Sequence, residues 1–198
     1  MSVFQVRIHG RGGQGVVTAA EMLSMAAFRD GRHAQAFPSF GSERTGAPVV
    51  AFCRIDDHEI RSHEPVVKPD ALIIQDPTLL HQVDVFQGLD RDGYLLINSS
   101  KSFAELGLAD LAAGLRVERR LALPASEIAR ATVGRPLPNA VLLGAFAALS
   151  RLISMDAVAA AIRDKFSGPI ADRNVAGAVR AYALASPPVK ELARAHAD

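Results

Sequence analysis

Apolar and polar positions along the chain switch between two periods. Residues 4–9 end in Ile8-His9-Gly10 and read as a strand running into glycines, and residues 10–15 form a glycine-rich turn. Over 16–29 the period becomes helical. Val16, Ala20, Leu23 and Ala27 fall on one stripe, Glu21 and Ser24 fall off it, and Gly31 supplies a helix-ending glycine. A short strand over 34–37 enters a long loop, 38–48. Residues 49–55 are nearly continuously apolar and β-branched at their start, the pattern of a buried strand. Asp56-Asp57-His58 is a turn, after which 59–62 is expected to fold back as a hairpin. Residues 71–75 read as another buried strand stopped at Asp76-Pro77, 78–86 as a helix, 94–98 as a strand, and 115–123 as a last strand before Pro124.

Beyond Ser126 the pattern is helical throughout. Helices are expected over 126–132, 139–153, 156–166 and 171–184, with Asp156 as an N-cap. Pro136 and Pro138 break the chain before the second, and Pro187-Pro188 ends the last. Strands alternating with helices imply an α/β, Rossmann-like fold: a mostly parallel sheet with helices on both faces, plus a helical C-terminal part. We expect a single domain over 1–185 and a tail over 186–198. Right-handed crossovers would put the strand-to-helix loops on one edge, gathering 10–15, 38–48, Asp76-Pro77 and 98–101 at the side where such sheets meet ligands and partners.

Composition narrows the function classes. With 49% hydrophobic and 22% charged residues, the 198-residue chain can bury a full core. Its 22 basic and 21 acidic residues leave a net charge of +1, which argues against a nucleic-acid partner. The single cysteine, Cys53, cannot form an internal disulfide or supply the thiolates of an iron–sulfur cluster, and a buried inert thiol is expected there. The histidines show no metal-ligand spacing with Cys53 or with one another. The N-terminus lacks the plan of a signal peptide, and the most apolar run, 140–149, is too short to span a bilayer. The expectation is a soluble, cytoplasmic protein with no membrane partner.

Gly10-Arg11-Gly12-Gly13-Gln14-Gly15 fits G-x-G-x-x-G between a strand and a helix, where bare backbone can turn tightly and meet an anion. The acidic residue that a nicotinamide dinucleotide site places after its second strand is missing, since that strand ends in Phe37-Pro38 and Asp30 precedes it. The glycines can instead serve close helix packing or a protein contact. Arg11 and Arg44 each sit in a glycine-bearing loop and suit either a phosphate or an ion pair. Gln14 is expected to turn its amide to the neighbouring loop and fix the turn. Glu43 reads as the partner of Arg44 before it reads as a base. His9 reads as a hydrogen-bonded structural residue, and Asn139 as a cap or a buried amide.

The string Gly10 to Gly15 followed by Val16 resembles the G-x-G-G-Q-G opening of the gamma subunits of pyruvate and related 2-oxoacid:ferredoxin oxidoreductases. Phe40-Gly41-Ser42-Glu43-Arg44-Thr45-Gly46-Ala47-Pro48-Val49 is similar to the F-G-x-E-R-x-G-A-P-V segment of the pyruvate-type chains. Asn139 with Leu143-Gly144-Ala145 resembles the family's N-x-x-x-L-G-A helix, and Phe166 with Asn174 its C-terminal F…N segment. The resemblance implies a subunit of a heteromeric enzyme that decarboxylates a 2-oxoacid, pyruvate first, on thiamine diphosphate. Electrons would leave through iron–sulfur clusters to ferredoxin, and the acyl group would pass to coenzyme A. It implies alpha, beta and delta partner subunits, with thiamine diphosphate, Mg2+, the clusters and coenzyme A held by the complex and none by this chain alone. No catalytic or metal-ligating residue is expected in this chain. The implied contact residues, toward the coenzyme A and thiamine region or a partner subunit, are Gly10, Arg11, Gly12, Gly13, Gln14, Gly15, Gly41, Glu43, Arg44 and Gly46. Three rivals stay open: the same chemistry on an aromatic 2-oxoacid such as phenylglyoxylate, a stand-alone dinucleotide-binding oxidoreductase, and a non-enzymatic scaffold.

Overall fold

A computed structural model describes residues 3–39 and 45–186. Six strands form one sheet in the order β2-β3-β1-β4-β5-β6: β1 Phe4–Arg11, β2 His33–Pro38, β3 Pro48–Asp56, β4 Ala71–Ile74, β5 Tyr94–Asn98 and β6 Arg120–Leu123. β1, β4, β5 and β6 pair in parallel, while β3 runs antiparallel between β1 and β2. All strands but β3 therefore point the same way. The helices are α1 Val16–Arg29, α2 Ala109–Gly114, α3 Ala125–Val133, α4 Asn139–Ser150, α5 Met155–Lys165 and α6 Gly168–Ala185.

Helices flank both faces of the sheet, unevenly. On one face α1 and α3 to α6 pack over Val6, Ile8, Ala51, Cys53, Ile73 and Leu96 in the main core. On the other, α2 and loop residues cover Leu72, Ile74, Leu95 and Ile97. β4 is buried at all four positions, as a central parallel strand must be when both its faces are covered. α4 is buried along nearly its whole length because it lies between the sheet and α5 and α6.

The ends of α1 show why it stops where it does. Gly31 takes φ +81°, its N–H bonds Phe28 O at 3.0 Å, and the Arg32 N–H bonds Ala27 O at 3.1 Å. This is the left-handed glycine closure that the sequence suggested. Asp30 then ties α1 to α5, its carboxylate accepting from Ser154 N at 2.6 Å and Ser154 Oγ at 2.7 Å.

Four local expectations need correction. Residues 59–62 form no hairpin. They lie in a loop whose Ser62 and Glu64 carbonyls accept from the buried Arg54, so the strand-like residues meet a guanidinium instead of a partner strand. The helix expected over 78–86 is one 3-10 turn, Pro77–His81, capped by Asp76 Oδ1, which accepts from Thr78 N at 2.9 Å. The chain must leave that turn to lay the Val85 and Gln87 carbonyls on Arg7. The last strand begins only at Arg120, after α2, which the pattern did not show, and a 3-10 turn over Val117–Arg119. Ser154, not Asp156, caps α5, its Oγ accepting from Ala157 N at 3.1 Å. Two neighbouring side chains competed for one cap, and the hydroxyl lies at the residue that takes the extended conformation.

Candidate functional site: the carboxyl rim of the sheet

The ends of β1, β2, β4 and β5 and the start of β3 share one edge, so the described parts of the loops expected to gather there do so. Gly12 N donates to Ala47 O at 2.9 Å, Gly46 N donates to Gly12 O at 3.1 Å, and Gly12 bridges Thr45 in parallel. The two glycine-bearing segments are thus stitched together backbone to backbone. Gly41, Glu43 and Arg44 lie outside the described residues.

Arg11 braces this junction. Its Nη1 donates to Gly46 O at 3.0 Å, its Nη2 to Thr78 Oγ1 at 2.7 Å and Gln82 Oε1 at 2.8 Å, and its Nε lies 3.2 Å from Asp76 Oδ2. A planar guanidinium is suited to this, because its five fixed donors can reach two loops at once. Gln14 completes the arrangement as expected of it. Its Oε1 accepts from Arg11 N at 2.8 Å and its Nε2 donates to Asp76 Oδ2 at 2.7 Å.

Asp76 is the hub, and the sequence reading gave it no partner. Burial pushes its carboxyl up, but hydrogen bonds from Thr78 and Gln14 and the charge of Arg11 outweigh that and hold it below the usual carboxylate range. Its signal was in the sequence: Asp-Pro-Thr directly after a buried strand is an Asx-turn pattern, with the carboxylate already committed to the local backbone.

The glycines answer separate needs. Gly13 and Gly15 take φ +92° and +71°. A Cβ on Gly10 would come within 2.6 Å of Val16 Cγ2, and one on Gly15 within 2.6 Å of Asn139 Nδ2. The start of α1 therefore packs against the start of α4, joining two of the sequence motifs in space. Asn139 is buried as α4's first residue, its Oδ1 accepting from Ala140 N at 2.9 Å, and Pro138 takes the cap position. Gly144 lies so close to the Ala178 backbone of α6 that no side chain fits between them.

Other polar residues support the rim from below. His9 Nε2 accepts from Arg7 Nε at 3.0 Å, so the ring is neutral with its proton on Nδ1. Burial, and then the Arg7 charge, push its pKa down to about 4. Asn98 caps α3 from across the chain: its Oδ1 accepts from Ser126 N at 3.0 Å and its Nδ2 donates to Gln75 O at 2.7 Å. Gln75 is 1% exposed, and neither end of its amide has a hydrogen-bond partner among the described residues.

Among the described residues, two hollows open on this rim. One of about 340 Å³ lies beside Gly12, Gly13, Gly15, Thr18 and Val49. The other, about 440 Å³, is lined by Thr78, His81, Ser99, Lys101 and Glu127. Asp30, the acid nearest the position a ribose would require, is bound by Ser154. Cys53 is fully buried in β3 and its thiol is pushed up by that burial. Among the described residues no group of three or more His, Cys, Asp or Glu is arranged to hold a metal ion, and no helix is long and apolar enough to cross a membrane.

Residues 5–184 match the sequence model of the family described as pyruvate ferredoxin/flavodoxin oxidoreductase. The chain belongs to this family. It is 44% identical over 180 residues to pyruvate synthase subunit PorC of Methanothermobacter thermautotrophicus, covering 91% of this chain and 94% of that one. It is also 44% identical over 181 residues to the pyruvate/ketoisovalerate oxidoreductases common subunit gamma of Pyrococcus abyssi, covering 91% and 96%. The crystal structure of pyruvate oxidoreductase subunit PORC from Thermotoga maritima superposes with a TM-score of 0.78 at 34% identity, over 92% of this chain and 97% of that one. The family match spans both rim segments and the Asn139 and Gly144 contacts.

Proposed function

We propose that the chain is the gamma subunit of a thiamine-diphosphate-dependent 2-oxoacid:acceptor oxidoreductase, with pyruvate as substrate of the assembled enzyme. The observation that carries this is the family match over residues 5–184, joined to 44% identity with a pyruvate synthase subunit across most of both chains. The name of the Pyrococcus abyssi relative supports a chain that does not itself select the acid, since that subunit is common to a pyruvate and a ketoisovalerate oxidoreductase.

When bound in the assembled enzyme, thiamine diphosphate with Mg2+, iron–sulfur clusters and coenzyme A would supply decarboxylation, electron transfer and acyl acceptance. This chain's residues do not fit a cluster: its one cysteine is buried and its described His, Cys, Asp and Glu residues form no ligand set. Its own part is to hold a rim. Arg11, Gln14 and Asp76 lock the turn over Gly10, Gly12, Gly13 and Gly15 to Gly46, so that bare backbone is presented in one fixed shape. This rim faces a partner subunit or the coenzyme A and thiamine region, and Gly41, Glu43 and Arg44 are assigned to the same contact by their sequence motif alone. Arg11 acts there by position, because its donors are turned to the chain itself. The partners are alpha, beta and ferredoxin-like delta subunits, with ferredoxin or a similar carrier as acceptor, in the cytoplasm.

The test is purification of the tagged chain from its source with partners attached. Partners are identified by mass, iron and thiamine are measured, and dye reduction is followed with pyruvate, ketoisovalerate and phenylglyoxylate. Thiamine-containing companions and pyruvate-dependent reduction are expected. A chain that purifies without any thiamine-binding companion overturns the proposal, and reduction driven by phenylglyoxylate alone replaces its substrate.

A further inference from the structure

The contact between α3 and α6 carries positive charge with nothing among the described residues to answer it. Gly177 of α6 packs against Thr132 of α3, where a Cβ would come within 2.9 Å of its Oγ1. Arg173 and Arg180 lie one helical turn to either side of Gly177, on the same side of α6. Arg135 follows the left-handed Gly134 that ends α3, three residues beyond Thr132. All three arginines are exposed, and none forms an ion pair with a described residue.

The nearby acids are engaged or turned elsewhere. Asp172 lies 4.0 Å from Arg163, Asp164 pairs with Arg29, and Glu127 lines the cleft at the strand ends. The same side of α6 also exposes Ile170 and Leu184, at 55% and 59%. They stand three and four residues outside the two arginines, so Ile170, Arg173, Gly177, Arg180 and Leu184 continue one stripe at the 3-4 spacing of a helix face.

We propose that this α3–α6 face docks an acidic surface of another polypeptide of the assembled enzyme. The inference rests on the gamma-subunit reading and names one of its contacts. Charge sets the occupant: three guanidiniums without counter-charge among the described residues are complemented by carboxylates, and arginine forks bind carboxylates in pairs. The apolar ends select a protein over other polyanions. Ile170 and Leu184 give a partner side chain something to cover, while the stripe offers no aromatic ring on which a base could stack.

The experiment uses the purified complex with three forms of this chain: wild type, R173E/R180E and R173K/R180K. The lysine pair keeps the charge and adds amines that a carbodiimide joins to adjacent carboxylates. Mass spectrometry of the cross-linked lysine variant is expected to show Lys at 173 or 180 joined to Asp or Glu of a second polypeptide. R173E/R180E is expected to be retained in the complex about tenfold less at physiological ionic strength, with the difference shrinking as salt rises. Its thermal melt shows whether the chain itself stays folded, and the lysine variant decides the matter if it does not. Cross-links confined to this chain, or wild-type assembly by R173E/R180E at every salt concentration, overturn the proposal. So does intact assembly with charge-dependent binding to heparin or to phosphatidylserine vesicles, which would assign the face to another polyanion. A wild-type chain without any companion defeats the gamma-subunit reading instead, so the two failures are told apart.

Discussion

At the scale of single residues, the rim is governed by where protons and donors are held. Asp76 has a carboxyl held below its ordinary value, so the ionised form contributes stability above the unfolded-state pKa of about 4. That contribution is lost as pH falls through the lower folded value. The protection factors of the Gly12 and Gln14 amides, corrected for intrinsic exchange, should therefore fall on acidification below about pH 4, and Asp76→Asn should show low protection at neutral pH as well. His9 behaves in the opposite chemical sense with the same pH direction. Its folded pKa is about 4 against an ordinary 6.5, so between these values the unfolded chain binds more protons and stability rises with pH. The contribution is complete above 6.5 and declines toward 4. NMR titration of the His9 ring should place its midpoint near 4, and a midpoint at 6.5 would contradict the Arg7 to Nε2 hydrogen bond.

At the scale of elements, close approach decides the packing. Gly15 combines positive φ with contact to Asn139, so Gly15→Ala should cost about 1–3 kcal/mol in chemical denaturation. Gly144 has the α6 backbone directly against it, and Gly144→Ala must separate α4 from α6. A loss of about 1–3 kcal/mol is expected, as for other overpacked cores, and an unchanged melting temperature would mean that the two helices are farther apart than described. These contacts give the L-G-A pattern and the Asn of the sequence a physical reason: one joins α4 to α6, the other joins α4 to α1. The helical periodicity of α1 was legible because its exposed and buried sides differ. The 78–86 segment misled because its apolar residues serve a second small core while its carbonyls serve Arg7, and periodicity records only the first.

At the scale of the whole molecule, the rim takes in only the start of α3 while the α3–α6 face is built on its end and on α6, and a partner can read them separately. Arg11→Ala removes hydrogen bonds to two segments at once. In the purified complex it should weaken retention of this chain or raise the KM for coenzyme A while the isolated chain remains folded by circular dichroism. If assembly, KM and amide exchange at Gly46 all match wild type, the bracing role is wrong. An exposed rim charge whose donors were free would instead alter association rate and salt dependence alone.

The sequence by itself determined the order of most elements, the parallel character of the sheet, the edge on which the loops gather and the family. Each of these follows from short-range regularities: period, glycine and proline placement, and two motifs. Only the tertiary structure decided that Arg11 spends its donors on Gly46, Thr78, Gln82 and Asp76, and that Arg7 and Arg54 draw loop carbonyls over the sheet. A guanidinium in a glycine loop reads the same in one dimension whether it awaits a phosphate or already holds two loops together. The difference lies in which residues, more than thirty and sixty positions away, the fold brings within hydrogen-bonding distance.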